Sequence, residues 1–356
     1  MGPQRTTLIP RALKKGDTIA FVSPSSRLND VMPAALARGK AFLESLGFQV
    51  RVIFKKTTLK ARIGELIRVR CEEIREAFAD PDIKAIICTI GGSHANELLP
   101  FLDYNLIRSN PKIFMGYSDT TFLHWAIESR TGLRTFYGPS ILSDLADVPK
   151  PLQFTIDHML QVLTKSEPVG SLPQSKECTV DHPDFFLGNV ASENPRELAA
   201  SPPWRWVRKG TAEGQLYGGT ITCVERLVGT RYEPESWKGR ILFLESAMGD
   251  DASVPFSVAR FRNNLADLAL SGMLDDIVGL VVGRGYKYSA KMQDELSDVI
   301  EDLFTVISPK EEAMFPVLMN VDFGHTGPFL TLPLNARARL DSSKGEFTIL
   351  EPGVQA

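Results

Sequence analysis

The feature that most restricts the fold is a repeated alternation within the first 132 residues. Apolar runs of strand length, "DTIAFV", "FQVRVIF", "IKAIIC" and "KIFMG", are each followed by a segment of helical periodicity. Those segments are "MPAALARGKAFLESLG", "GELIRVRCEEIREAFAD", "ANELLPFLDYNLIRS" and "TTFLHWAIESRTG", with Gly47 and Gly132 standing where C-caps belong. Strands joined through helices cannot pair as hairpins, so the pattern predicts a parallel sheet with right-handed crossovers. The expected fold class is α/β, with a flavodoxin- or Rossmann-like N-terminal domain over residues 1–144. A parallel sheet gathers the loops that follow its strands on one edge, where such folds bind ligands. Ser23–Ser26, Gly91-Gly92-Ser93 and Gly116-Tyr117-Ser118 would share that edge.

The pattern loosens from 145 to 210, where prolines crowd ("DVPKP", "SLPQS", "NPRE", "SPPW") and aromatics come in pairs. One helix, "FTIDHMLQVLT", is expected there, then a long excursion that links or overhangs two domains. Regular structure returns over 211–356 with "GQLYGGTITCVERLVGT", "GRILFLES", "VARFRNNLADLALSGM", "DIVGLVVGRG" and "KMQDELSDVIEDLF", followed by short strands broken by Gly and Pro. A C-terminal mixed α/β domain with a β-rich core is expected. At 356 residues the chain suits two domains of about 150 residues each plus the connecting segment.

A net charge of -3 gives no general attraction for nucleic acid polymers or anionic membranes. No apolar run reaches the roughly 18 residues that span a bilayer, and "MGPQRTTLIPRALKKGDTIA" has no secretory apolar core. Cys71, Cys88, Cys178 and Cys223 are widely spaced and form no C-x-x-C, which predicts free thiols over a disulfide framework or zinc site. A cytoplasmic protein without metal or cofactor is expected.

Strand, sharp turn, serine, helix: "KIFMGYSDTTFLHWAIESRTG" makes Ser118 either a nucleophile held on a turn or the cap of an ordinary helix. A serine nucleophile needs a base, and the base an orienting acid. Among His94, His124, His158, His182 and His325, the last sits in "DFGHTGP", a glycine-flanked loop that suits a side chain projecting into a cleft. A surface-turn histidine is the alternative reading. Glu245 follows the apolar run of "RILFLES" and must find a partner, either a histidine or Arg260 or Arg262. Backbone N–H groups at Gly91, Gly92 and Asp119 are placed to serve an oxyanion. The hydrolase elbow G-x-S-x-G is matched only in its first half, since Thr120 stands at the second glycine.

Taken in order, "AFADPDIKAIICTIGG", "PKIFMGYSDTTFLHWAIESRTGLRTFYGP", "GQLYGGTITCVERLVGT", "ILFLES" and "DFGHTGP" resemble the LD-carboxypeptidase family of serine peptidases over residues 14–350. That family contains murein tetrapeptide carboxypeptidases and a microcin C self-immunity branch. The resemblance implies a Ser-His-Glu triad of Ser118, His325 and Glu245, an oxyanion hole at Gly92 and Asp119, a homodimer, and no metal. Murein-type members usually carry Arg-Gly-Gly-Tyr-Gly at the oxyanion turn; Thr89-Ile90-Gly91-Gly92-Ser93 here is more similar to the immunity branch. That branch implies hydrolysis of an aminoacyl- or peptidyl-nucleotide amide, with an aromatic side chain stacked on the base. Phe185, Phe186, Trp204 and Trp206 are candidates for the stacking, with Gly91 and Ser93 also placed at the substrate. Arg260, Arg262 and Arg284 are candidates for a substrate carboxylate. The alternatives are a murein LD-carboxypeptidase acting on a small peptide and a non-catalytic binding protein on the same fold.

Overall fold

The structure, a computed structural model, describes residues 6–58, 61–307 and 315–356. The start of the N-terminal stretch read above, residues 1–5, lies outside them.

The first half builds one parallel sheet from β1 (Thr18–Val22), β2 (Gln49–Val52), β3 (Ile83–Cys88), β4 (Ile113–Gly116) and β5 (Phe136–Tyr137). Helices α1 (Pro33–Ser45), α2 (Ile63–Ala79), α3 (Tyr104–Ser109) and α4 (Thr121–Thr131) make the crossovers. Strands β1 and β4 are buried at every position, as expected of strands covered on both faces, whereas edge strand β2 is largely exposed. "ANELLPFLDYNLIRS" is not the single helix its periodicity predicts. Pro100 cannot donate within a helix, so Ala95–Phe101 is a tighter 3-10 turn, and Asp103 caps α3 by accepting from the Leu106 N–H at 3.0 Å.

The remaining elements, in chain order, are α5 (Gln153–Thr164), β6 (Gly170–Ser171), β7 (Glu177–Cys178), β8 (Ala199–Ala200), β9 (Arg205–Arg208), β10 (Thr211–Thr220), α6 (Ile221–Leu227), β11 (Arg240–Glu245), α7 (Val258–Leu270), α8 (Met273–Asp276), β12 (Gly279–Gly283), α9 (Ala290–Ile307), β13 (Val317–Val321), β14 (Leu332–Pro333), β15 (Arg337–Asp341) and β16 (Glu346–Ile349). A second, mixed sheet runs in the order β6-β16-β15-β10-β11-β12-β13-β9, with β10 to β13 parallel and the flanking strands antiparallel. The proline-rich segment therefore supplies both edges of this sheet, β6 and β9, and a small β7–β8 ribbon.

Two features lock the sheets together. Strand β14 leaves the C-terminal part of the chain and adds antiparallel to β5, giving the first sheet the order β14-β5-β4-β3-β1-β2. Helix α4 is wedged against β10, so residues Thr121–Glu128 are buried around the whole helix. Trp125 donates its indole N–H to the Gly218 carbonyl at 2.9 Å, and a Cβ on Gly219 would lie 2.4 Å from the Thr121 methyl. The "YGGT" pair thus has no side chains where helix and strand meet. Among the described residues all four cysteines are free and no helix is long and apolar enough to cross a membrane.

Candidate active site

The three loops expected on one edge do meet there. Asp119 binds them together: its buried carboxylate accepts from the Ser25 hydroxyl and from the Ala95 N–H, the latter at 2.9 Å. The Ser26 N–H donates to the Gly91 carbonyl at 3.1 Å.

Ser118 lies between β4 and α4 with φ at 63°, a left-handed conformation that costs a non-glycine residue about 1–3 kcal/mol. Two contacts hold it there. The Ser118 N–H donates to the Tyr137 hydroxyl at 3.2 Å, and its carbonyl accepts from the Thr121 hydroxyl at 2.7 Å. Gly91 passes so close that a Cβ there would lie 2.6 Å from the Ser118 Cβ and 3.0 Å from its Oγ. A residue serving only as a helix cap would have extended backbone and bond a nearby N–H; Ser118 has neither property.

His325 and Glu245 come to it from the second sheet. His325 follows β13 and places Nε2 3.0 Å from the Ser118 Oγ, while Nδ1 lies 2.8 Å from Glu245 Oε2. The imidazole packs edge-on against Tyr117, with ring centroids 5.1 Å apart. Glu245 ends β11 and is completely buried. Its partner is the histidine, not Arg260 or Arg262; Arg260 instead pairs with Asp250 at 2.8 Å. The second carboxylate oxygen, Oε1, accepts from the hydroxyls of Thr220 and Tyr137, the latter at 2.6 Å. Burial alone would push the Glu245 carboxyl up. The neighbouring imidazole and the two hydroxyls outweigh it and hold the group below the ordinary carboxylate value. Burial first, then the Glu245 charge, pushes the Tyr137 phenol well up, so it stays a neutral donor.

Two cavities open on either side of Ser118. One, of about 310 Å³, is mostly apolar and is lined by Leu28, Ile90, Phe186, Met248, His182 and His325, among others. His182 and Phe186 form a ring pair with centroids 4.8 Å apart. Burial, then the nearby His325, Arg196 and Lys287, holds the His182 imidazole well below its ordinary value, so this wall adds no cation. The other cavity, of about 420 Å³, is polar; Ser93, Glu97, Asp119, Thr222 and Arg226 line it, and it shares Gly92, Ser118 and Ala247 with the first.

Several expected substrate contacts lie elsewhere. Trp204 packs on the core and donates its indole N–H to Asp322 at 2.9 Å, and Trp206 pairs with Leu318 in the second sheet; neither lines either cavity. Both rings are partly buried against the hydrophobic core. Phe185 is buried in a satellite core with Met32 and Leu142, under the Arg38 guanidinium. Arg284 is buried in an ion pair with Asp322 and also donates to Thr326 at 3.1 Å, so its charge is already spoken for. Tyr137, Thr220, His182 and Arg226 were not singled out from sequence. The available signal was position: Thr220 ends β10 beside Glu245, and Tyr137 ends β5 beside Ser118. Among the described residues no group of three or more His, Cys, Asp or Glu is placed to hold a metal ion.

Comparison with known proteins places the chain in a family. The sequence matches the LD-carboxypeptidase N-terminal domain over residues 19–138 and the LD-carboxypeptidase C-terminal domain over 213–340. It is 31% identical to the microcin C7 self-immunity protein MccF of Escherichia coli, over 98% of this chain and 97% of that protein. It is 32% identical to a probable murein peptide carboxypeptidase of Bacillus subtilis, over 97% of this chain and 95% of that one. The solved structure of MccF in complex with aspartyl sulfamoyl adenosine superposes with a TM-score of 0.86 at 28% identity, covering 98% of this chain and all of that one. The chain belongs to the LD-carboxypeptidase family, with the two-domain α/β fold of MccF.

Proposed function

We propose that the protein is a serine-type amide hydrolase in which Ser118 is the nucleophile, His325 the general base and Glu245 the residue that orients the imidazole. The observation that carries this reading is the continuous path from Ser118 Oγ to His325 Nε2 at 3.0 Å and from His325 Nδ1 to Glu245 Oε2 at 2.8 Å. Ser118 attacks the amide carbonyl as its proton passes to Nε2, and Glu245 stabilises the cation that forms. The oxyanion is met by the N–H groups of Gly92 and Asp119, both at the cavity that Ser118 lines. His325 then protonates the leaving nitrogen, and water, deprotonated by the same imidazole, releases the acyl group from Ser118.

The substrate favoured is an aminoacyl- or peptidyl-nucleotide amide of the kind handled by the immunity branch. Support comes from the apolar cavity beside Ser118, where Phe186 and neutral His182 offer flat faces to a planar leaving group. Stacking of a base on such a ring is worth about 1–3 kcal/mol. Homodimerisation, from the family resemblance, and a cytoplasmic location, from the free thiols, belong to the same proposal.

The test is hydrolysis followed by mass spectrometry, with aspartyl-sulfamoyl adenosine and an L,D-linked murein tetrapeptide each offered to the protein and to its Ser118→Ala variant. Aspartate released only by the unmutated protein supports the nucleotide reading. Release of terminal D-alanine would replace it with the murein reading, and turnover of neither would favour a binding protein.

A further inference from the structure

The two cavities differ in chemistry and meet only at Gly92, Ser118 and Ala247. A substrate attacked by Ser118 must therefore lie across that seam, one part on each side. The polar side holds charges of both signs. Arg226, on α6, has its guanidinium over the Phe122 ring, 4.8 Å from the centroid, and among the described residues it enters no ion pair. Phe122 sits in the first turn of α4, four residues after Ser118, so this cation is anchored to the helix that follows Ser118. Glu97 lines the same cavity with part of its carboxylate exposed, 3.2 Å from His94. The Thr220 and Thr222 hydroxyls and the Ser93 turn complete the wall.

The arginines named from sequence do not have this placement. Arg284 is buried with Asp322, Arg260 is paired with Asp250, and Arg262 lies exposed on α7; none lines either cavity.

We infer that Arg226 is the residue that holds a substrate carboxylate, and that the polar cavity receives the acyl half of the substrate as an amino-acid group carrying both a carboxylate and an ammonium. Glu97 faces the ammonium and Arg226 the carboxylate. A guanidinium already oriented on an aromatic face loses little freedom on pairing and presents two parallel N–H donors to a carboxylate. A purely anionic group would meet Glu97 unfavourably, whereas a zwitterionic one satisfies both walls. The assignment rests on the proposed hydrolase reading and deepens it by naming the residue that selects the acyl group.

The test uses the full chain with Ser118→Ala, so that ligands bind without turnover, and compares aspartyl- with alanyl-sulfamoyl adenosine by calorimetry. These ligands share the leaving group and ammonium and differ in the carboxylate. The expected result is tighter binding of the aspartyl ligand, with a preference of about ten- to a hundredfold that is lost in the Ser118→Ala/Arg226→Ala protein. Arg226→Lys should restore part of it. Equal affinities before mutation, or a preference that survives Arg226→Ala, would overturn the inference and leave the hydrolase reading standing. Failure of both ligands to bind the Ser118→Ala protein would overturn the nucleotide reading and the inference together. Thermal melts, together with an unchanged affinity for the alanyl ligand, should show the Ser118→Ala/Arg226→Ala protein folded with its other substrate contacts intact; equal loss of both ligands would make Arg226 structural and overturn the inference.

Discussion

Glu245→Gln isolates the electrostatic part of the proposed triad with little change in shape. In the folded protein Oε1 accepts two hydroxyl donors, from Thr220 and Tyr137, while Oε2 faces His325 Nδ1 at 2.8 Å. A glutamine must keep its oxygen toward the two donors, so its NH₂ turns toward Nδ1. Two N–H donors cannot face one another. The imidazole is driven to the tautomer with its proton on Nε2, pointing at Ser118 Oγ, where it can no longer accept. The substitution also removes the charge beside the imidazolium formed in the transition state, worth about 4 kcal/mol at 4 Å and an effective dielectric of 20. Together these give an expected fall in kcat of about 10³- to 10⁴-fold, the scale seen when a serine protease triad loses its acid to an amide. The readouts are kcat and the rate of fluorophosphonate labelling at Ser118, with Tm to show that the variant is folded. A folded variant that loses less than about tenfold in both would refute the tautomer reasoning and Glu245's role with it. The same contacts have a pH signature. Because the folded protein holds this carboxyl below its ordinary value of 4.5, its stabilisation is fully present above that value and lost as pH falls through the depressed one. Glu245→Gln should therefore flatten part of the acid limb of the stability curve.

Gly91→Ala should cut kcat by at least about tenfold with little change in KM, since the new methyl falls 2.6 Å from the Ser118 Cβ and must displace the nucleophile; steady-state kinetics of the folded variant checks this. Phe186→Ala should raise KM for an aminoacyl adenylate analogue by about ten- to a hundredfold, from the loss of one stacking face, and leave fluorophosphonate labelling unchanged. Arg284→Met should destabilise the protein by about 3–5 kcal/mol because it strands the Asp322 carboxylate in a buried site. Denaturant melts should show much of that loss recovered in the Arg284→Met/Asp322→Leu double variant.

Legibility followed the amount of pattern each element carries. Central strands such as β1, β3 and β4 are buried on both faces, so a short apolar run sufficed to place them and the loops behind them. Strands β5 and β6 have two residues each, too few for any period, and escaped notice; β14, equally short, was expected only as one of several short C-terminal strands, with no partner assigned. Ser118 and Glu245 stood out because a polar group after an apolar run needs a reason, and His325 because glycines flank it in a loop; the structure brings the three together. The substrate residues were harder, because an aromatic or an arginine serves a core as readily as a ligand. Trp204 and Phe186 look alike in sequence, yet one spends its N–H on Asp322 and the other lines the cavity beside Ser118. What separates them is which sheet edge took β9, a long-range pairing between Arg205–Arg208 and Val317–Met319 that local composition does not encode.

The β5–β14 pairing, which the sequence did not reveal, also makes a site divided between two sheets workable. A 3.0 Å contact between Ser118 and His325 tolerates little relative motion of the sheets that carry them. Strand β14 begins seven residues after His325 and is hydrogen-bonded to β5, with Leu332 opposite Tyr137. The chain that carries His325 is thereby fixed in register to the first sheet. Tyr137 then uses one hydroxyl to accept the Ser118 N–H and donate to Glu245, joining the two residues through a single atom. On the other side of the seam Thr121, three residues past Ser118, accepts the Thr220 N–H at 3.2 Å, and Thr220 is itself a donor to Glu245. Each half of the proposed triad is thus bonded to the other half's supports as well as to its own. Relative sliding of the sheets would have to break the β5–β14 pairing, the Tyr137 bridge and the Thr121–Thr220 contact at once, so the catalytic distances are set by backbone register and not by side-chain contacts alone.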